Sequence, residues 1–108
     1  MTARQRPNLA DVARWVHDYD ERIAPSSARV VAHGDPEQDG LGIVLVYLKH
    51  APASVYLQLT ADGRWSATLT ERADELTGTS LDLIGLGEEV TAAGRLCAYL
   101  QERTDAER

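Results

Sequence analysis

The sequence predicts an α+β domain in which an antiparallel four-stranded meander is flanked by an N-terminal and a C-terminal helix. Three observations support this class: an apolar stripe at helical spacing near each end, alternating apolar and polar residues in the middle, and one strong hairpin signal. The chain has 108 residues, the length of one domain, and we assign residues 8–103 to it. Residues 1–7 are expected to form a flexible basic arm, and residues 104–108 a frayed C-terminal tail.

The first predicted helix covers residues 8–23. Asn8 is a favourable N-cap, and Asp11 lies three residues later, near the positive end of the helix dipole. Apolar residues recur at steps of three and four: Leu9, Val12, Val16, Tyr19 and Ile23. Trp15 lies at the margin of this stripe. Pro25 disfavours helical backbone at the residue before it, so the helix is expected to end there.

Four strands are predicted in the middle of the chain, over residues 28–33, 41–49, 54–60 and 64–70. The second is apolar on both faces, which is typical of a strand covered on both sides. The third and fourth alternate, and Trp65 shares its face with other apolar residues, which favours a core position for it. Asp62-Gly63 between them predicts a hairpin.

The last third of the chain contains a second long helix, predicted over residues 88–103. Glu88 and Glu89 at its start and Arg103 at its end suit the helix dipole. Its apolar face consists of Val90, Ala93, Leu96, Cys97 and Leu100. Cys97 in such a stripe behaves as a small hydrophobic residue.

Two segments before this helix are harder to assign. Residues 71–76 are predicted to form a short helix that ends at Gly78. Residues 79–87 are apolar but interrupted by Gly85 and Gly87. They fit either a fifth strand at the edge of the sheet or an irregular loop, and periodicity does not choose between these.

The second strand raises a question of cover. Each helix has one apolar stripe and needs a sheet to pack against. If both helices covered the same face, residues 41–48 would leave apolar side chains without cover on the other. The sequence therefore predicts either one helix on each face or a second subunit closing one face.

Charge and composition exclude several classes of partner. The chain has 17 acidic and 11 basic residues, a net charge of −6, which disfavours binding of nucleic acid by the folded part. Its single cysteine allows no internal disulfide and fits a reducing compartment. The longest apolar stretch, residues 41–48, is far shorter than the roughly 20 residues of a membrane span. We expect an acidic, soluble, cytoplasmic protein, and the arginine-rich usage is typical of high-GC bacteria or their phages.

The sequence shows no arrangement of nucleophile, base and cofactor motif, so neither catalysis nor a cofactor is predicted. The only metal-ligand candidates are His33, Asp35, Glu37 and Asp39. The three carboxylates and the glycine that follows them imitate the opening of a calcium loop, but position twelve, which requires Glu, is Val46. A solvated acidic turn is favoured over a metal site.

Four aromatic residues are the candidates for partner binding: Trp15, Tyr19, Tyr56 and Tyr99. Large aromatic side chains are enriched at interface centres, although Trp15 fits a core position as well. We therefore predict a small non-catalytic adaptor or regulatory domain that binds protein, a second copy of itself included. The alternative is a small-molecule-binding domain with a pocket of at least about 300 Å³ between sheet and helices.

Overall fold

The computed structural model describes residues 7–31, 43–51, 53–70, 75 and 77–107. Its elements are α1 (Leu9–Arg22), β1 (Ala28–Val31), β2 (Ile43–Tyr47), β3 (Ser54–Leu59), β4 (Trp65–Leu69) and α2 (Ser80–Ala106). The strands form an antiparallel sheet in the order β1-β2-β3-β4. The predicted α+β meander with a helix at each end is confirmed.

Helix α1 begins at the predicted cap. The side chain of Asn8 accepts a hydrogen bond from the backbone of Asp11 at 2.8 Å, and the Asp11 carboxylate accepts one from the backbone of Asn8 at 3.0 Å. The buried side of the helix consists of Val12, Trp15, Val16 and Tyr19. The Trp15 side chain is fully buried, which decides the question that the sequence left open: Trp15 is a core residue.

Helix α2 is longer than predicted, because it begins at Ser80 rather than near residue 88. Residues 80–87 are its first turns, so the prediction of an edge strand or a loop was wrong. The cause is a capping box at Thr79, whose hydroxyl accepts from the backbone of Asp82 at 3.2 Å while the Asp82 carboxylate accepts from the backbone of Thr79 at 3.0 Å.

The C-terminal end of α2 also differs from the prediction of a frayed tail after residue 103. The helix continues to Ala106, and Thr104 is 4% exposed. Buried hydrogen bonds of the Thr104 side chain hold this last turn in place. The predicted basic arm, apart from Pro7, and most of the predicted short helix at 71–76 lie outside the described residues.

Both helices pack on the same face of the sheet. The register places Val44 beside Leu57 and Leu59 beside Trp65, and all four side chains are buried under the helices. Trp65 is therefore a core residue, as predicted. The core also contains Val46, Val55, Ala93, Leu96, Leu100 and the buried residues of α1.

Of the two alternatives that the sequence left open for covering β2, this arrangement excludes one helix on each face. On the opposite face, Leu45 pairs with Arg29 on one side and Tyr56 on the other. Ile43 and Leu45 are half-buried, and Tyr47 is 54% exposed. Closure of this face by a second subunit stays a prediction. In the described residues, neither helix has a segment long and apolar enough to cross a membrane.

Candidate functional site

The first half of α2 carries apolar residues on its outward side. Steps of three, four and seven place seven residues on one side of the helix. We call this set the α2 outer stripe: Leu83, Ile84, Gly87, Val90, Thr91, Gly94 and Ala98. All seven are exposed, with Leu83 at 68%, Ile84 at 56% and Val90 at 40%. The buried residues of α2, Ala93, Leu96, Leu100 and Thr104, lie farther along the helix than Leu83, Ile84 and Val90. In the first half of α2, the half-buried Leu86 packs against the core.

Glu88 and Arg95 border the α2 outer stripe on one flank. They are seven residues apart, so they lie on the same side of the helix about 10 Å from each other along its axis. Both are exposed, and neither forms an ion pair with another residue that the structure describes. The stripe between them is uncharged, although the chain as a whole has a net charge of −6.

Two of the glycines of α2 have no role in the packing of this chain. Apart from the adjacent residues and the nearby backbone of α2 itself, a Cβ atom on Gly87 or Gly94 would meet no atom within 4 Å, whereas one on Gly85 would lie 2.6 Å from Nε2 of His50. Gly85 is therefore explained by the imidazole that packs against it. A glycine inside a helix costs about 1 kcal/mol relative to alanine, and close approach of another backbone is a common reason to keep one.

Glu89 joins the turn after β2 to α2. Its carboxylate accepts hydrogen bonds from the Lys49 and His50 backbone N–H groups at 2.6 and 3.0 Å and from Nδ1 of His50 at 2.7 Å. Burial raises the pKa of Glu89, but these hydrogen bonds outweigh it and hold the pKa below its ordinary value. The junction fixes the part of α2 that carries the exposed apolar residues.

The Glu89 junction predicts a loss of stability in acid. A carboxyl group whose pKa is lower in the folded than in the unfolded state stabilises the fold above its unfolded pKa of about 4.5, and this contribution disappears as pH falls through the folded value. We expect Glu89→Gln to lower the free energy of unfolding at pH 7 and to have a smaller effect near pH 3. Urea unfolding across this range measures it, with the exposed Glu75→Gln as control. An equal effect of Glu89→Gln at both pH values would contradict the prediction.

A cleft of about 310 Å³ lies between the α1–β1 connection, the end of β2 and α2. Its apolar lining includes the side chains of Val46, Ala93 and Leu96, and its polar lining includes Lys49, His50, Glu88 and Glu89. This position, between the sheet and the helices, is where the sequence placed a pocket in the small-molecule alternative. The lining can hold a small amphipathic molecule, with the apolar part toward the sheet.

The four aromatic partner candidates do not lie on one surface. Trp15 and Tyr19 are buried, and the Tyr19 and Tyr99 rings meet edge to face with their centroids 5.2 Å apart. Arg103 lies over the rings of Trp15 and Tyr99 and donates a hydrogen bond of 2.7 Å to the Tyr99 hydroxyl. These residues hold α1 against α2. Tyr56 is half-buried on the opposite face of the sheet.

The remaining candidates from the sequence are the metal-ligand set and Cys97. His33, Asp35, Glu37 and Asp39 lie outside the described residues. Within the described part of the chain, no three His, Cys, Asp or Glu side chains form a group that could hold a metal ion. Burial raises the pKa of the Cys97 thiol, so this half-buried side chain stays protonated at neutral pH.

Sequence reasoning missed the α2 outer stripe, because residues 79–87 were not assigned to a helix. The capping pattern Thr79-x-x-Asp82 was the available signal. No protein-family model, curated protein or solved structure matches this chain.

Proposed function

We propose that this protein is a small non-catalytic adaptor or regulatory domain that binds protein through the α2 outer stripe. The observation that carries the proposal is the exposure of Leu83, Ile84 and Val90 on a helix that Leu86, Ala93, Leu96 and Leu100 already hold against the core. Burying a leucine or isoleucine side chain contributes about 1.5–3 kcal/mol, and monomeric proteins rarely expose large contiguous apolar patches. A partner that covers the stripe recovers this free energy.

The charge distribution supports a protein partner. The α2 outer stripe has no charged residue, and its charged neighbours Glu88 and Arg95 lie at its border. Depletion of charge at the centre with charge at the rim is the usual composition of protein–protein interfaces. Nucleic-acid binding requires clustered basic residues, which this helix lacks.

Binding through the stripe predicts a position-specific covalent adduct. A photoreactive amino acid at position 91, in the centre of the stripe, is expected to cross-link to one discrete protein in extracts of the native cell. Position 13, exposed on α1, serves as the control site. Replacing Leu83 and Ile84 together by Asp should reduce the adduct at least tenfold while changing stability little, because both side chains are already exposed.

The proposal is contradicted if position 91 gives no discrete adduct. Equal labelling from positions 91 and 13 would contradict it too, because the two sites lie on different helices and only one lies in the stripe.

Small-molecule binding in the cleft is the second candidate, favoured by a volume of 310 Å³ at the lower end of the usual range of about 300–1,000 Å³. The Leu83 and Ile84 double variant separates the two candidates, because neither residue lines the cleft. Loss of function in this variant supports protein binding, and full function in it supports the cleft.

A further inference from the structure

We infer that the partner of the α2 outer stripe is a second copy of this chain, with the two α2 helices paired antiparallel about a two-fold axis near residues 91 and 92. This inference rests on the proposed function and names the partner of the same site. It depends on the charges at the border of the stripe and on the distribution of large and small residues along the stripe. The charged residues and the stripe residues are all exposed.

The border charges are complementary in an antiparallel pair of identical helices. A two-fold axis perpendicular to the helices keeps the same flank of both helices on the same side, so residues equally far from the axis in opposite directions face each other. Glu88 and Arg95 lie on one flank at equal distances from a point between residues 91 and 92. Glu88 of each copy therefore faces Arg95 of the other. In a parallel pair the two-fold axis runs along the helices and places this flank of the two copies on opposite sides of the interface, so Glu88 of one copy would not face Arg95 of the other.

The shape of the stripe is complementary to itself in the same orientation. Its large exposed side chains, Leu83 and Ile84, lie at the N-terminal end, and its small residues, Gly94 and Ala98, lie toward the other end. With the axis between residues 91 and 92, Leu83 and Ile84 of one copy lie level with residues 100 and 99 of the other, next to the small Ala98, and Gly94 lies level with residue 89, between Gly87 and Val90. Gly87 and Gly94 then stand where the two backbones approach, which accounts for two glycines that this chain's own packing does not need.

A partner of a different sequence would have to provide both charges and the same change from large to small side chains along its surface. A second copy of this chain has both features already. The absence of charge within the stripe also lets two chains of net charge −6 meet without opposing carboxylates at the centre. The stripe from residue 83 to 98 is about 22 Å long, since each residue rises 1.5 Å. Such a short contact belongs to the small, weak class of interfaces, so we expect a micromolar dissociation constant.

The test is analytical ultracentrifugation of the full chain from about 1 to 300 μM. We expect a reversible dimer. Glu88→Arg alone and Arg95→Glu alone should each raise the dissociation constant at least tenfold, because each brings two like-charged pairs together. The double variant, which exchanges the two charges, should return to within about threefold of the unmodified chain. Arg14→Glu, on the exposed side of α1, is the control with the same charge change as Arg95→Glu and should have little effect.

Substitution of a stripe glycine gives a second test, because it should stabilise the single chain and weaken the dimer. Gly94→Ala should raise the thermal stability of the isolated chain at low concentration, because alanine favours helix, yet raise the dissociation constant at least fivefold by separating the two helices. If Gly94 affected only the stability of the helix, Gly94→Ala would raise the thermal stability and leave the dissociation constant unchanged.

Two results overturn the inference in distinguishable ways. If the unmodified chain dimerises but the double variant with exchanged charges does not, the antiparallel pairing is excluded. Protein binding through the α2 outer stripe is then still supported. A chain that stays monomeric at 300 μM excludes self-association, and the cross-link from position 91 then decides the proposed function: an adduct with a different protein keeps it, and no adduct ends it.

Discussion

Replacing Leu96 by alanine is expected to lower the free energy of unfolding by about 2–5 kcal/mol, the range observed when a buried leucine is truncated. The Leu96 side chain is fully buried on the inner side of α2 and belongs to the core that α2 shares with α1 and the sheet. Because domains of this size are stable by only about 5–15 kcal/mol, the loss is a large part of the total. Chemical unfolding followed by circular dichroism measures it, at one fixed protein concentration so that self-association does not vary.

Leu81→Ala is the matched control for this prediction. It removes the same atoms from the same helix, but the Leu81 side chain is 75% exposed, so a change within about 0.5 kcal/mol is expected. A loss below about 1 kcal/mol for Leu96→Ala would contradict the assignment of this side of α2 to the core. A similar loss for both variants would contradict the difference in burial between Leu81 and Leu96.

The parts of the fold that were predicted from the sequence are those with local determinants. The cap of α1 depends on two residues three apart, Asn8 and Asp11, and both hydrogen bonds are present. The β3–β4 hairpin depends on Asp62-Gly63, and Gly63 has the positive φ of 84° that a turn glycine provides. Each signal lies within a few residues, so no knowledge of the rest of the chain was needed.

The start of α2 was missed for a physical reason. Apolar residues occur on both its inner and outer sides, so the apolar pattern of residues 81–90 has no clear period, and the glycines lower the helix propensity further. The Thr79-x-x-Asp82 box was the one local signal, and it is the same device that begins α1. The property that hid the helix, exposed apolar residues on its second side, is the property on which the proposed function rests.

The candidate site could not be predicted from the apolar stripe of one helix, because which residues are buried depends on contacts between elements that are distant in the sequence. Trp15 lies at the margin of the apolar stripe of α1, a position open to a partner until α2 and Arg103 close over it. The doubly apolar β2 was identified correctly as a strand, and cover of its second face stays a prediction. The sequence of β2 does not indicate that both helices pack on the same face of the sheet, because this depends on the contacts between α1 and α2.

Thr104→Val is expected to lower the free energy of unfolding by about 1–3 kcal/mol, the cost of leaving a buried donor without an acceptor. The indole N–H of Trp65 donates a hydrogen bond of 2.8 Å to the Thr104 hydroxyl, which in turn donates to the Leu100 carbonyl, and both side chains are buried. Valine has the shape of threonine but no acceptor. Chemical unfolding gives the loss, and the NMR signal of the Trp65 indole N–H should shift while that of Trp15 does not.

Two further substitutions decide whether loss of the Thr104 hydroxyl causes the lower stability of Thr104→Val. Thr104→Ser keeps the acceptor and should recover most of the lost stability, whereas Thr68→Val, on an exposed position of β4, should change it by less than about 0.5 kcal/mol. Gln101, one turn before Thr104, accepts from the Trp65 backbone N–H at 2.7 Å and donates to the Gly63 carbonyl at 3.1 Å. The last turns of α2 therefore hold the start of β4 through side chains. An unchanged stability and an unshifted Trp65 signal in Thr104→Val would show that this end of the helix is frayed, as the sequence alone suggested.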